Sequence, residues 1–168
     1  MSRPVAAAVE VPNAGESPLL REWRRLVRWP AGRWLFSRLV GRRARYSGTV
    51  RPFVRALAPG RATVEFRDRP AVRNHLRSIH ACALATAGEL ASGLALLAAV
   101  PAEGRAILVG VEIDYLKKAR GPITAEGHAP ERIAATQGEV TAHAVLRDAE
   151  GSDVARLRAR WLVGPRPR

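Results

Sequence analysis

Cysteine, aromatic residues and carboxylates are all scarce in this 168-residue chain, and each scarcity excludes something. The single cysteine, Cys82, rules out an internal disulfide framework and any multi-cysteine metal site, so a reducing compartment, the cytoplasm, is expected. His75 and His80 lie five apart without the carboxylate or cysteine spacing of a zinc site, and no metal is expected. Aromatics make up 5% of residues, which disfavours base stacking, and no helix-turn-helix or zinc pattern accompanies the charge, so nucleic acid is not the expected partner. The longest apolar run, residues 79–100, is interrupted by Glu89 and two glycines, and no N-terminal stretch joins a basic start to an unbroken apolar core. Neither a membrane span nor a signal peptide is expected.

What is abundant is arginine. Lys and Arg number 28 against 15 acids, a net charge of +13, and residues 1–55 hold twelve arginines against three glutamates. Such a patch attracts polyanions, although a composition biased toward arginine accounts for it equally well. The length suits one domain with a real core.

Residues 1–16, with two prolines and no periodicity, read as a disordered leader. Ser17 and Pro18 then offer an N-cap and first helical position, and Leu19, Leu20, Trp23, Leu26 and Val27 recur at helical spacing, the other face being arginine. Pro30 ends this helix, and a second, shorter one follows with Trp34, Leu35, Leu39 and Val40 on its apolar side. The pair, residues 17–45, suits either packing on the main body, the stronger expectation, or peripheral contact with a membrane surface through Trp23 and Trp29. From Thr49 the period becomes two, with Pro59-Gly60 separating two runs as a hairpin would. Later come a strand from Arg105 with Ile107, Val109, Val111, Ile113 and Tyr115 on one face, a short strand after Gly121-Pro122, and two strands joined by a turn over Asp148–Gly151. The predicted order is two helices, two strands, one long helix and four strands.

Between them, residues 81–100 are apolar nearly all the way round, and a helix of that kind must be enclosed. One sheet encloses it only by curling, so an α+β domain is expected in which a strongly curved antiparallel sheet wraps one helix. Its many alanines and glycines keep the helix thin. Glu89 stands alone in that helix, on the same side as Cys82, Thr86, Ser92 and Gly93. An unpaired ionised carboxylate buried there costs several kcal/mol, so Glu89 is hydrogen-bonded or paired with an arginine as a structural group, is neutralised, or faces a water-accessible cleft as general base or nucleophile. Asn74, His75, Ser78 and His80 cluster where the chain enters the helix, whose free N–H groups suit an anion or a developing oxyanion. Cys82 is expected to be a small buried filler, and Glu112 and Asp114 to face solvent.

The spacing Asn74, His80 six residues on, and Glu89 nine further resembles the hotdog-fold thioesterase superfamily, in particular the phenylacetate-pathway type of acyl-CoA thioesterase. The "YLKKARG" run from Tyr115, together with "NHLRSIHA" from Asn74, is similar to a poorly characterised branch of that superfamily. The resemblance covers residues 48–164. It implies a hotdog fold of five or six strands around one long helix, preceded here by two short helices, and hydrolysis of an acyl thioester carried by coenzyme A or an acyl carrier protein. Glu89 would be general base or nucleophile, Asn74 would position the thioester or water, and His80 would shape the turn. The Ala81 or Cys82 N–H would polarise the carbonyl, while His75, Ser78, Thr86 and Gly93 would line the pocket. Lys117, Lys118 and Arg120 are candidates for coenzyme A phosphates, with a solvated charge run as the alternative. No cofactor beyond coenzyme A as part of the substrate is implied.

The family pattern has His-Gly-Gly where this chain has His-Ala-Cys, so an altered substrate, or a non-catalytic acyl- or acyl-CoA-binding module, stands beside the hydrolase. The resemblance further implies a homodimer or dimer of dimers, joined at the strand beginning at Arg105.

Overall fold

Ser17 both starts the first helix and fastens it. Its Oγ accepts from the Leu20 N–H at 3.4 Å, capping α1 (Pro18–Leu26), and donates to the Leu97 carbonyl at 2.7 Å, near the far end of α3 (Ala81–Ala99). The computed structural model describes residues 15–136 and 138–167, so the expected leader falls outside the described residues except for Gly15 and Glu16. Between α1 and α2 (Gly32–Arg43) the chain reverses so tightly that a Cβ on Gly32 would lie 1.7 Å from the Leu26 carbonyl oxygen.

The two helices pack on the main body. Trp23 is buried, its ring edge-on to Phe36 at 5.0 Å between centroids. The face α2 presents differs from the expected one: Phe36, Ser37 and Val40 are buried, while Trp34 and Leu35 are 59% and 40% exposed. Ser37 explains the rotation. Its Oγ donates to the Arg33 carbonyl at 2.7 Å and accepts from the Val54 N–H at 2.8 Å, so a polar contact that hydrophobic periodicity does not register docks α2 on β1.

Six antiparallel strands, β1 (Phe53–Ala58), β2 (Arg61–Phe66), β3 (Gly104–Tyr115), β4 (Ile123–His128), β5 (Gly138–Arg147) and β6 (Asp153–Pro165), form one sheet in the order β1-β2-β4-β5-β6-β3. The expected element order holds throughout. The β1–β2 hairpin turns at Pro59-Gly60 with Gly60 at φ +74°, and Gly151 at φ +79° closes the β5–β6 turn around Asp148. The sheet curls around α3, making the hotdog architecture. By length and hydropathy α3 would pass for a membrane span, yet 72% of its most apolar window is buried in the protein.

The thinness of α3 has a measurable use. Ala87, Ala91 and Ala95 are completely buried, and β4 comes so near that a Cβ on Gly127 would lie 2.1 Å from the Ala91 carbonyl oxygen. On the same helix, Gly88 leaves space for Leu146 and Leu157, and Gly93 for the Trp161 ring.

β3 departs from the expected single apolar face. Its register with β6 shifts between Leu108 and Gly110, and the bulge turns the strand over. Ile107 lies opposite exposed Leu162, whereas Val111 and Ile113 lie opposite the buried Ala159 and Leu157. Ile107 and Val109 remain 51% and 46% exposed on this edge strand. Glu112, as expected, is exposed, and it pairs with Arg158 at 2.7 Å across the strands.

Gly127→Ala is expected to destabilise the fold by about 3 kcal/mol, the upper end of ordinary overpacking, because the added methyl meets backbone that cannot rotate away. Urea denaturation of the two proteins measures this.

Candidate active site

The chain enters α3 through a loop that Asn74 organises. Asn74 Oδ1 accepts from the Leu76 N–H at 2.9 Å and from the Ser78 N–H and hydroxyl at 3.2 Å each, and the Asn74 N–H donates to the Ser78 carbonyl at 2.8 Å. Arg77 takes a left-handed conformation, φ +54°, to complete the turn. Two further bonds, Ile79 N–H to Ala119 O at 2.9 Å and His80 N–H to Val72 O at 2.8 Å, fix where the helix starts. Ser78 is buried in this turn, while His75 is exposed. The Asn74 oxygen is therefore spent on the loop, and its side-chain Nδ2 is the end left for any other partner among the described residues.

His80 is the N-cap of α3. Its Nδ1 accepts from the Cys82 N–H at 3.0 Å, which requires the neutral ring with its proton on Nε2. Of the two N–H groups proposed for a carbonyl oxygen, Cys82's is occupied in this arrangement, and Ala81's has no acceptor among the described residues. Cys82 itself is exposed, contrary to the expectation of a buried filler, because the first turn of α3 projects beyond the sheet before the helix is enclosed.

A residue not singled out from the sequence joins this end. Tyr115, the last residue of β3, donates its hydroxyl to the Ala81 carbonyl at 3.1 Å, and burial followed by the nearby Cys82 thiol raises its pKa. Its alternation was visible in the sequence; that the strand bulge aims it at the start of α3 was not.

Glu89 lies farther along. Nine residues at 1.5 Å each separate it from His80 by about 13 Å along the axis, so one chain does not bring the two into contact. The carboxylate is half-buried, and no described residue offers it a hydrogen bond or an ion pair. Burial alone pushes its pKa up from the ordinary 4.5. The other polar side chains of the stripe are spent on the helix backbone: Thr86 Oγ1 donates to Cys82 O at 2.7 Å, and fully buried Ser92 donates to Glu89 O at 2.9 Å. Gly93 keeps the surroundings open, since a Cβ there would lie 3.9 Å from Glu89 Oε1 and 3.0 Å from the Trp161 ring. The Trp161 indole N–H is buried without a partner among the described residues.

The basic segment after β3 divides. Lys117 Nζ is bound to Asp148 at 2.7 Å, which raises the lysine's pKa and lowers the aspartate's, so this ammonium secures the β5–β6 turn. Lys118 and Arg120 are exposed and have no carboxylate partner among the described residues. Two openings lie elsewhere, a trough of about 800 Å³ beside α2 and a cleft of about 330 Å³ beside α1, and Glu89 lines neither.

A family model described as a domain of unknown function, DUF4442, matches residues 32–163. No curated protein matches the chain. Among solved structures, a structural-genomics protein is 30% identical with a TM-score of 0.74, over 89% of this chain and 98% of its own. A Pseudomonas aeruginosa protein of unknown function, described as a probable thioesterase, is 22% identical with a TM-score of 0.69, over 76% and 92%. A thioesterase family protein from Silicibacter pomeroyi is 18% identical with a TM-score of 0.67, over 77% and 96%. The likeness to the last two is one of fold.

Because the folded protein keeps Glu89 protonated above its ordinary pKa of 4.5, native chains hold a proton that unfolded chains have released. Stability from this group therefore falls as pH rises through the window above 4.5 and stays lower beyond the raised pKa. Glu89→Gln, which has no charge to bury, is expected to melt higher than the wild type at neutral pH, with the difference closing as the pH drops below 4.5. Thermal melts across that range check the sign.

Proposed function

The chain belongs to the DUF4442 family, and on that premise we propose that it hydrolyses acyl thioesters with the Glu89 carboxylate as general base or nucleophile. The observation that carries the reading is a lone half-buried carboxylate with no partner among the described residues, set in the core helix of a hotdog sheet with its pKa raised by burial. A structural carboxylate is ordinarily given a donor, and among the described residues this one has none. The thioesterase descriptions of similar folds support the same chemistry.

As general base, Glu89 takes a proton from a water whose oxygen attacks the thioester carbonyl carbon. The resulting oxyanion needs a donor, and the Ala81 N–H at the positive end of α3 has no acceptor among the described residues. Collapse expels the thiolate, which recovers the proton from Glu89. As nucleophile, the carboxylate would instead form an anhydride that water then cleaves. A raised pKa favours the base role, since it brings the group nearer neutrality.

A separation of about 13 Å between Glu89 and the helix start is too long for one carbonyl to meet both in one chain. We therefore place the reaction between two copies paired through the bare β3 edge, each helix start facing the other copy's carboxylate. The exposed Ile107 and Val109 on that edge suit burial in such a pairing. The carrier is coenzyme A or an acyl carrier protein, with Lys118 and Arg120 available to its phosphates. The second reading, an acyl-binding module without turnover, is favoured by one observation: the Cys82 N–H is already taken by His80.

Glu89→Ala and Glu89→Gln are expected to lower kcat on acyl-CoA by about 100-fold or more while leaving binding measurable, as for loss of a general base. Equal rates in wild type and variants remove the assignment; binding without hydrolysis in the wild type selects the second reading. Replacing Ile107 and Val109 together by lysine is expected to halve the particle mass by light scattering and abolish hydrolysis with it. Activity retained in a monomer contradicts the shared site.

A further inference from the structure

An opening on the N-terminal helices lies away from Glu89. Trp34, Arg38 and Arg42 follow one another at four-residue intervals along the exposed stripe of α2, and with Arg45 they form one wall of the trough of about 800 Å³. Arg51 and Phe53 form the other. The floor is built by close backbone contact: the short 3₁₀ turn Ser47–Val50 crosses α2 where a Cβ on Gly48 would lie 2.4 Å from the Gly41 carbonyl oxygen. Arg51, immediately after that turn, is held at φ +52°, a conformation uncommon for a residue with a side chain.

The charge in this trough is uncompensated. Neither Arg38, Arg42, Arg45 nor Arg51 has a carboxylate at ion-pair distance among the described residues, and no residue lining the trough is acidic. Neighbouring arginines outside it do have partners, Arg24 with Glu16, Arg43 with Glu22 and Arg55 with Glu65. Behind the wall, Arg69 donates through Nη2 to the Thr49 carbonyl while its buried Nε finds no acceptor among the described residues, and burial followed by the Arg51 charge lowers its pKa. Like charges gathered around one concavity repel one another, and an anion relieves them.

The shape narrows the anion. The volume lies within the range of small-molecule pockets and exceeds what one phosphate would fill. Guanidinium groups match phosphate oxygens in bidentate fashion. Trp34 is 59% exposed, with Arg38 over its ring at 5.8 Å, and it stands with Phe53 as an aromatic surface against which a planar group stacks. We propose that this trough binds a multiply phosphorylated ligand of nucleotide size, its phosphates held by Arg38, Arg42, Arg45 and Arg51 and its planar group against Trp34 and Phe53. The site is independent of the hydrolase reading.

Calorimetric titration of the full chain at physiological ionic strength tests this with three probes: ADP, inorganic pyrophosphate, and vesicles of equimolar phosphatidylcholine and phosphatidylglycerol. ADP and pyrophosphate are expected to bind saturably, ADP more tightly. The double variant Arg38→Ala/Arg42→Ala should weaken both by about tenfold or more, as for lost charge-assisted hydrogen bonds. The charge-matched Arg21→Ala/Arg25→Ala, on exposed positions of α1, should leave them within about twofold, since screened charges outside the trough act weakly. Trp34→Ala should remove the advantage of ADP over pyrophosphate. Binding to vesicles alone, no saturable binding of the soluble probes, or equal weakening in the two double variants overturns the proposal.

Discussion

The contact between β4 and α3 is the constraint on which the rest of the fold depends. A strand whose Gly127 would have its Cβ 2.1 Å from the Ala91 carbonyl can lie there only because both surfaces are stripped to backbone. Ala87, Ala91 and Ala95 keep the helix narrow, and narrowness lets a six-stranded sheet bend far enough to enclose it. Enclosure in turn makes Glu89 costly to ionise. The same close packing thus yields both the stable core and the perturbed carboxylate within it.

Enclosure is incomplete on one side, and that is where the polar groups around the start of α3 gather. β3 ends the sheet, and its bulge turns Tyr115 toward the first turn of α3, where the Ala81 carbonyl receives its hydroxyl. The His80 cap and the Asn74 loop fix the same end. The helix start is thus fixed by several hydrogen bonds, while the Glu89 carboxylate, without a partner among the described residues, lies about 13 Å from it along the axis in one chain. Under the proposed function, groups at such a separation act on one bond when a second copy supplies the missing half.

The N-terminal helices have a separate logic. Their inward side is secured by Ser17 and Ser37, two hydroxyls that join helix to helix and helix to strand, and by the Trp23–Phe36 contact. Fixing that side leaves the opposite stripe of α2 with Trp34 and arginines that have no carboxylate partner among the described residues, over a trough. Of the arginines in the first third of the chain, Arg24, Arg43 and Arg55 are paired with carboxylates, Arg38, Arg42, Arg45 and Arg51 line one concavity, and others, Arg21 and Arg25 among them, are exposed outside both sets.

The order of elements, the buried helix, both hairpin turns and the isolation of Glu89 were legible in the sequence, because period, turn residues and an acid among alanines are local signals. Orientation was not. Which side of α2 faces inward was decided by Ser37 reaching the Val54 N–H, a contact 17 positions away, and the facing of β3 by a bulge that only its pairing with β6 reveals. Cys82 is exposed and Lys117 is occupied by Asp148 because of where the sheet ends and a distant turn falls. Local sequence specified what each segment is; tertiary contacts, which join residues far apart in the chain, specified which way it points and what its side chains are free to do.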